Sequence, residues 1–250
     1  MSEYNLYIMR ITLKFVLLFI FTYYQIQLYG QCTLDDIELE QIEQKTIRKY
    51  VEHQIEDGKH RFYDIQPSWN KGDDLSPYNK NETTFFLDTN LQDVWQSYLS
   101  IDPSKLWNNG SVSQGLMLQK SPAKIFYNKD SLAYIDTGQV YFLNLRLLSG
   151  IYNLAVAFEI ITIDSLEMVI EFSYVEGNES LGVQKIKFIA VDDHSTEIIH
   201  TSYFKSNSNF RDKWLYPFFH KKVTKDFHEN IRRLLISGKF YVDRIGVVNK

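Results

Sequence analysis

This 250-residue chain has a single thiol, Cys32. One cysteine forms no internal disulfide and no multi-cysteine metal site. Long apolar runs are scarce too. The one candidate, FVLLFIFTYY at 15–24, falls well short of the roughly 20 residues that cross a bilayer as a helix. Positive charge is not in excess: the net charge is −4, which gives no global attraction to nucleic acid. The sequence has no GxSxG, no HExxH, no P-loop and no GxGxxG after a strand. The acyl-transfer, zinc, nucleotide-phosphate and dinucleotide chemistries tied to those motifs therefore have no support. No cofactor and no metal is expected. What the chain does have is a 44% hydrophobic, 15% aromatic composition, enough for one substantial core.

The apolar run has the marks of a secretory signal. Arg10 and Lys14 precede it, and Leu28, Tyr29 and the small Gly30 follow, with Gln31 next. A basic flank, a short apolar stretch and a small-residue exit describe a signal peptide over 1–30, with Met9 as an alternative start. The expected location is then outside the cytoplasm, periplasmic or extracellular. An uncleaved membrane anchor is the competing outcome. The small residue followed by Gln resembles exported proteins of Bacteroidetes-type bacteria. Gln31, in the place directly before Cys32, is not the small residue a lipoprotein signal requires.

Residues 31–82 read as a helical extension and linker. Thr33 can cap a helix from Leu34, with Asp35 and Asp36 in its first turn and Gly58 as its stop. This 34–56 helix is polar for its length, and lies on the main domain or stands partly free. The 59–80 stretch, with Pro67, Gly72 and Pro77, reads as a loop. The main domain is expected over 83–250. It begins with a strand, TTFFL at 83–87, then a helix over 90–99 capped by Asp88 or Thr89. A second helical turn follows at 101–107 and a turn at 108–115. Strands are expected over 124–128, 131–135, 139–148, 154–163, 166–175, 183–191 and 196–205, at hairpin spacing. A long amphipathic helix over 211–236 closes the series, with Tyr216, Phe219, Val223, Phe227, Ile231 and Leu234 at spacings of three and four. Gly238 ends it, and 240–248 can add a small strand. The fold class is α+β: an antiparallel sheet gripping one long C-terminal helix, with an N-terminal helical extension.

Strand, two short helices, antiparallel meander and long C-terminal helix resemble the START-like, or helix-grip, superfamily, also called SRPBCC or polyketide-cyclase-like. The likeness covers about 83–236. It opens on TTFFLDTNLQDVWQSYLSIDPSKLW, with Val94 and Trp95 as a buried pair. It closes on EGNESLGVQKIKFIAVDDHSTEIIHTSYFK and the following helix, which resemble an uncharacterised subgroup. The resemblance implies a cavity between sheet and helix for a lipid, sterol, polyketide or other small hydrophobic ligand. It carries no catalytic residue onto this chain.

Period-two alternation selects the inward residues. Met168, Ile170, Phe172 and Tyr174 share one face, as do Gln184, Ile186 and Phe188, with Lys185 and Lys187 opposite. On the last strand Ile198, His200, Ser202 and Phe204 are taken as inward, so that Glu197 and Lys205 meet water. The candidate ligand contacts are His200, Ser202, Gln184, Tyr174, Phe172, Phe188, Phe227 and Val223. His200 also raises the alternative of an enzyme with a histidine acid or base. His220 and His228 stand eight residues apart on the long helix, about 80° around its axis, and read as packed or surface residues. Lys205, Arg211, Lys213, Lys221, Lys222 and Lys225, interleaved with Trp214, Tyr216, Phe218 and Phe219, could form a lip touching a membrane peripherally. A third alternative is a structural or interaction protein that uses its 34–56 helix. The oligomeric state stays open.

Overall fold

The computed structural model describes residues 32–132 and 134–237. The signal peptide expected over 1–30, Gly238 as a helix stop and the strand expected over 240–248 lie outside the described residues. Among the described residues there are eight strands: β1 (Asn79–Leu87), β2 (Val112–Gln119), β3 (Lys124–Tyr127), β4 (Gln139–Leu147), β5 (Tyr152–Asp164), β6 (Val169–Tyr174), β7 (Leu181–Asp192) and β8 (Ser195–Lys205). They form one sheet in the order β1-β8-β7-β6-β5-β4-β2-β3. All neighbours are antiparallel. The helices are α1 (Lys45–Glu56), α2 (Leu91–Ser100), α3 (Pro103–Leu106) and α4 (Tyr216–Ile236). A widened π turn, Arg211–Leu215, leads into α4. Pro217 stands in the first turn of α4, where its missing N–H costs least.

The architecture is the expected antiparallel sheet with a long C-terminal helix on one face. On that face Trp95 and Tyr98 of α2, Trp107, and Phe227 and Ile231 of α4 meet Tyr141, Phe158, Phe172, Ile186, Phe188 and Ile198 of the sheet. Aromatic rings dominate. Trp107 stacks on Phe227 at 4.3 Å between centroids, and Phe188 meets Tyr98 edge-on at 4.6 Å. Such pairs add about 0.5–1.5 kcal/mol each beyond the area they bury.

The opposite face of the sheet carries a second core. Leu34, Ile42, Ile47, Val51, Phe62 and Ile65 pack on Leu116, Leu118, Val140, Phe142, Ala157 and Val175. Of the two readings of the 34–56 segment, lying on the main domain or standing partly free, the structure has the first. The 34–56 segment is three pieces, 3-10 turns at Leu34–Asp36 and Leu39–Gln41 and then α1. Thr33 donates both its N–H and its hydroxyl to the Asp36 carboxylate at the first turn. Gly115, at the bulge in β2, lets α1 approach. A Cβ there would fall 2.6 Å from Ile47 Cδ1 and closer still to Gln44. The first strand, expected over 83–87, starts four residues earlier, at Asn79.

Other boundaries shift for local reasons. Asn90, rather than Asp88 or Thr89, caps α2, its side chain accepting from Asp93 N at 2.9 Å. Residues 112–119, half of them assigned to a turn, are β2. Where a strand is expected over 131–135, none of the described residues lies in one; Ile135 instead donates its N–H to Leu99 O and buries its side chain in the core with α2. Met168 adopts φ 51 in the β5–β6 turn, so it stands beside the inward face of β6 without belonging to the strand.

Candidate functional site

Between α4 and strands β4–β8 lies a cavity of about 540 Å³, within the range of small-molecule sites. One wall is apolar: Leu143 and Leu145 of β4, Val156 and Phe158 of β5, and Trp107. Sheet register builds the other wall. Phe172 pairs with Gln184, and Gln184 pairs with Ser202, so three neighbouring strands project side chains from one row. His200 pairs with Ile186 two residues along. From above, α4 lowers Tyr216, His220, Val223, Thr224 and Phe227 onto the cavity.

The polar residues of this wall form one continuous network, in which Gln184 is the hub. Its Oε1 accepts from His200 Nε2 at 2.7 Å and from His220 Nε2 at 2.9 Å, and its Nε2 donates to Tyr174 Oη at 2.7 Å. The amide oxygen only accepts, so both histidines carry their proton on Nε2. His220 Nδ1 is then an acceptor, and Asn81 Nδ2 donates to it at 3.1 Å. His200 Nδ1 is likewise an acceptor, so His228 Nε2, 2.9 Å away, donates. His228 Nδ1 finally accepts from the Tyr98 hydroxyl at 2.6 Å. Every nitrogen of these three imidazoles is used, and each ring is neutral.

Burial enforces that neutrality. It pushes His200 well below its usual value, with His228 and His220 adding to the effect. It takes His220 and His228 down to about 3. Burial also raises the phenols, Tyr174 to about 12 and Tyr216 well above 10. The wall is therefore polar and uncharged.

Of the residues selected from the sequence, His200, Gln184, Tyr174, Phe172, Phe227 and Val223 border the cavity. Ser202 and Phe188 do not. Ser202 is sealed beneath Tyr216, its hydroxyl 2.7 Å from the Tyr216 oxygen. Phe188 lies four residues beyond Gln184 on β7 and is covered by Trp95 and Tyr98. Sequence reasoning left out His220, Trp107 and the β4–β5 wall. The pattern Tyr216, His220, Thr224 at i, i+4, i+8 was the available signal for a polar stripe facing the sheet.

No family model and no curated protein sequence matches this chain. Solved structures with a similar course of chain include norcoclaurine synthase from Thalictrum flavum, a point mutant in complex with a transition-state analogue. It is 13% identical over 65% of this chain and 96% of its own, with a TM-score of 0.47. Major latex-like protein 151 from Panax ginseng is 13% identical over 62% and 96%, with a TM-score of 0.47. The protein TTHA0849 from Thermus thermophilus is 8% identical over 64% and 99%, with a TM-score of 0.48.

Proposed function

We propose that this protein binds one small, uncharged, mainly apolar molecule in the cavity between the sheet and α4. The observation that carries the proposal is a 540 Å³ space with an apolar wall and one neutral polar wall. A charged ligand end against this polar wall would lose its hydration and find no counter-ion, which is strongly unfavourable; Arg211 and Glu179, which also line the cavity, are paired with each other. A hydrogen-bonding oxygen would be accommodated. The hydroxyls of Tyr174, Tyr216 and Ser202 are joined by two contacts of 2.7 Å. Three hydroxyl protons serve two bonds, so one donor remains. The chain of hydroxyls can reverse, and Tyr174 or Tyr216 can then offer that proton to a carbonyl, ether or hydroxyl oxygen.

Binding is favoured over catalysis because His200, the acid–base candidate, has both ring nitrogens committed. A role for the 34–56 segment in partner capture is disfavoured because Ile47 and Val51 are already buried against the sheet. Export of the mature chain from residue 31 completes the proposal; N-terminal sequencing of the protein from its host tests it, and an intact residue 1 would refute it.

The central test is mass spectrometry of small molecules that co-purify with the protein, with a Val223→Trp variant as control. A stoichiometric neutral compound, absent from the variant, is the expected result. A wild type that comes out empty and binds no neutral apolar probe such as N-phenyl-1-naphthylamine would overturn the proposal.

A further inference from the structure

The cavity opens between two segments with unusually exposed apolar side chains. One is the β4–β5 connection, where Leu148, Ile151 and Tyr152 are exposed. The other is the π turn and first turn of α4, where Phe210, Trp214, Leu215 and Phe218 are exposed. Leu148 and Tyr152 from the first, and Arg211 and Leu215 from the second, border the same cavity, so the two segments flank one mouth. Leu148 and Ser149 hold φ 49 and 59, a left-handed backbone uncommon for a branched residue. Monomers rarely present this many large apolar groups around one opening without a use for them.

Among the described residues, the charge on the exposed side of this helix that lacks an ion-pair partner is positive. Trp214, Phe218, Lys221 and Lys225 recur at i, i+4, i+7 and i+11 and share one exposed stripe of the helix. Lys213 adjoins it. Arg211 is paired with Glu179 and Lys222 with Asp226. Among the described residues, Lys213, Lys221 and Lys225 have no carboxylate within 4 Å. These cations stand out on a chain whose net charge is −4.

We infer that this rim docks on an anionic phospholipid bilayer. Trp214, Phe218, Leu148 and Ile151 enter the interfacial layer, while Lys213, Lys221 and Lys225 meet the headgroups. A second copy is a poorer occupant, because a two-fold contact would set the same lysines against each other. The docking itself does not depend on what the cavity holds.

Trp214 reports on the contact directly. It is 62% exposed, whereas Trp69, Trp95 and Trp107 are 6%, 2% and 7% exposed. The full chain is mixed with phosphatidylcholine vesicles with and without phosphatidylserine, and tryptophan emission and quenching by brominated lipid are followed. The expected result is a blue shift and quenching that need phosphatidylserine and fade with salt. Lys213→Glu, Lys221→Glu and Lys225→Glu should each weaken vesicle binding about fivefold or more, and Ile151→Ser/Phe218→Ser should abolish the shift. Circular dichroism and retained cavity-probe binding would show these variants folded. Sedimentation with vesicles while Trp214 emission stays fixed would place the contact elsewhere, for instance on residues 15–24, and overturn the inference. So would equal binding to both vesicle types, or a blue shift that appears without lipid as protein concentration rises, which would identify a second copy as the occupant. Failure of the cavity proposal reads differently, as loss of probe binding with the vesicle response intact.

Discussion

His200 on β8 and His228 on α4 share a hydrogen bond of 2.9 Å between Nδ1 and Nε2, and both residues are buried. The bond ties the C-terminal helix to the sheet, and it exists only while both imidazoles are neutral. If His200 takes up a proton on Nδ1, two N–H groups face each other and the bond is lost.

Acid should therefore destabilise the protein earlier than carboxylate titration alone would. In the folded state His220 and His228 titrate near 3, and His200 is also held well below its usual 6.5. In the unfolded chain all three accept protons near 6.5. Between those values the unfolded state binds more protons, so stability falls as pH drops from about 6.5 toward 3. The slope is on the order of 1 kcal/mol per pH unit for each ring. Asp64 and Asp226, whose values are lowered by Arg61 and by Lys222 and Ser111, add losses only below about 4. Glu159, raised by burial, acts in the opposite direction. Urea midpoints at pH 7, 6 and 5 check this. A flat profile over that range would mean that the rings are not buried neutral.

Gln184 should be the most sensitive single position in the network. Gln184→Met removes the acceptor of His200 and His220 and the donor to Tyr174, while keeping the volume. Each orphaned buried group costs about 1–3 kcal/mol, so a loss of about 3 kcal/mol or more is expected in chemical denaturation. Gln184→Glu should be worse at pH 7, since it sets a carboxylate among neutral rings with no cation to meet it. A loss under about 1 kcal/mol for Gln184→Met would show that the network contributes little.

Tyr174→Phe separates ligand recognition from folding. The substitution deletes the hydroxyl that accepts from Gln184 and meets Tyr216, yet leaves the ring in place. Stability should fall by about 1 kcal/mol. Affinity for an oxygen-bearing ligand should fall about tenfold, and affinity for a purely apolar probe should hold. Equal losses for both ligands would assign the residue a packing role only.

Much of the inward face was legible because its alternation is interrupted by charge. Lys185 and Lys187 fix the outer side of β7, so Gln184 had to face the helix, and the same logic turned His200 and Ser202 inward. The strand β4 gave no such cue. QVYFLNL is buried on both faces, Tyr141 and Leu143 beneath the helices and Val140 and Phe142 beneath α1, and its two polar residues, Gln139 and Asn144, fall on opposite faces and so single out neither side. β2 was hidden by turn chemistry: Asn108, Asn109, Gly110 and Ser111 do form a turn, but Val112 already lies on the strand. The His200–His228 contact was beyond period counting. It joins residues 28 apart in sequence through the docking of a helix on a sheet, and helix spacing alone set His220 and His228 two turns apart with nothing between them.

The second core offers a cleaner test of how residues 32–65 are held. Lys120 donates to Ile65 O at 2.7 Å and to Glu159 Oε2 at 2.6 Å, and both side chains are nearly buried. The ammonium thus fastens the end of the N-terminal segment to β5. Lys120→Met leaves the Glu159 carboxylate buried without a partner and should cost about 3–5 kcal/mol. Lys120→Met/Glu159→Met removes both charges, and replacing a buried pair by apolar groups is often close to neutral. The double variant should therefore recover most of the loss, short of the bond to Ile65 O, worth about 1 kcal/mol. Proteolysis between residues 59 and 80 should follow the same order, fast in the single variant and slow in wild type and double variant. If the double variant is no more stable than Lys120→Met, the pair does not account for the attachment, and the apolar contacts of Ile47, Val51, Phe62 and Ile65 carry it alone.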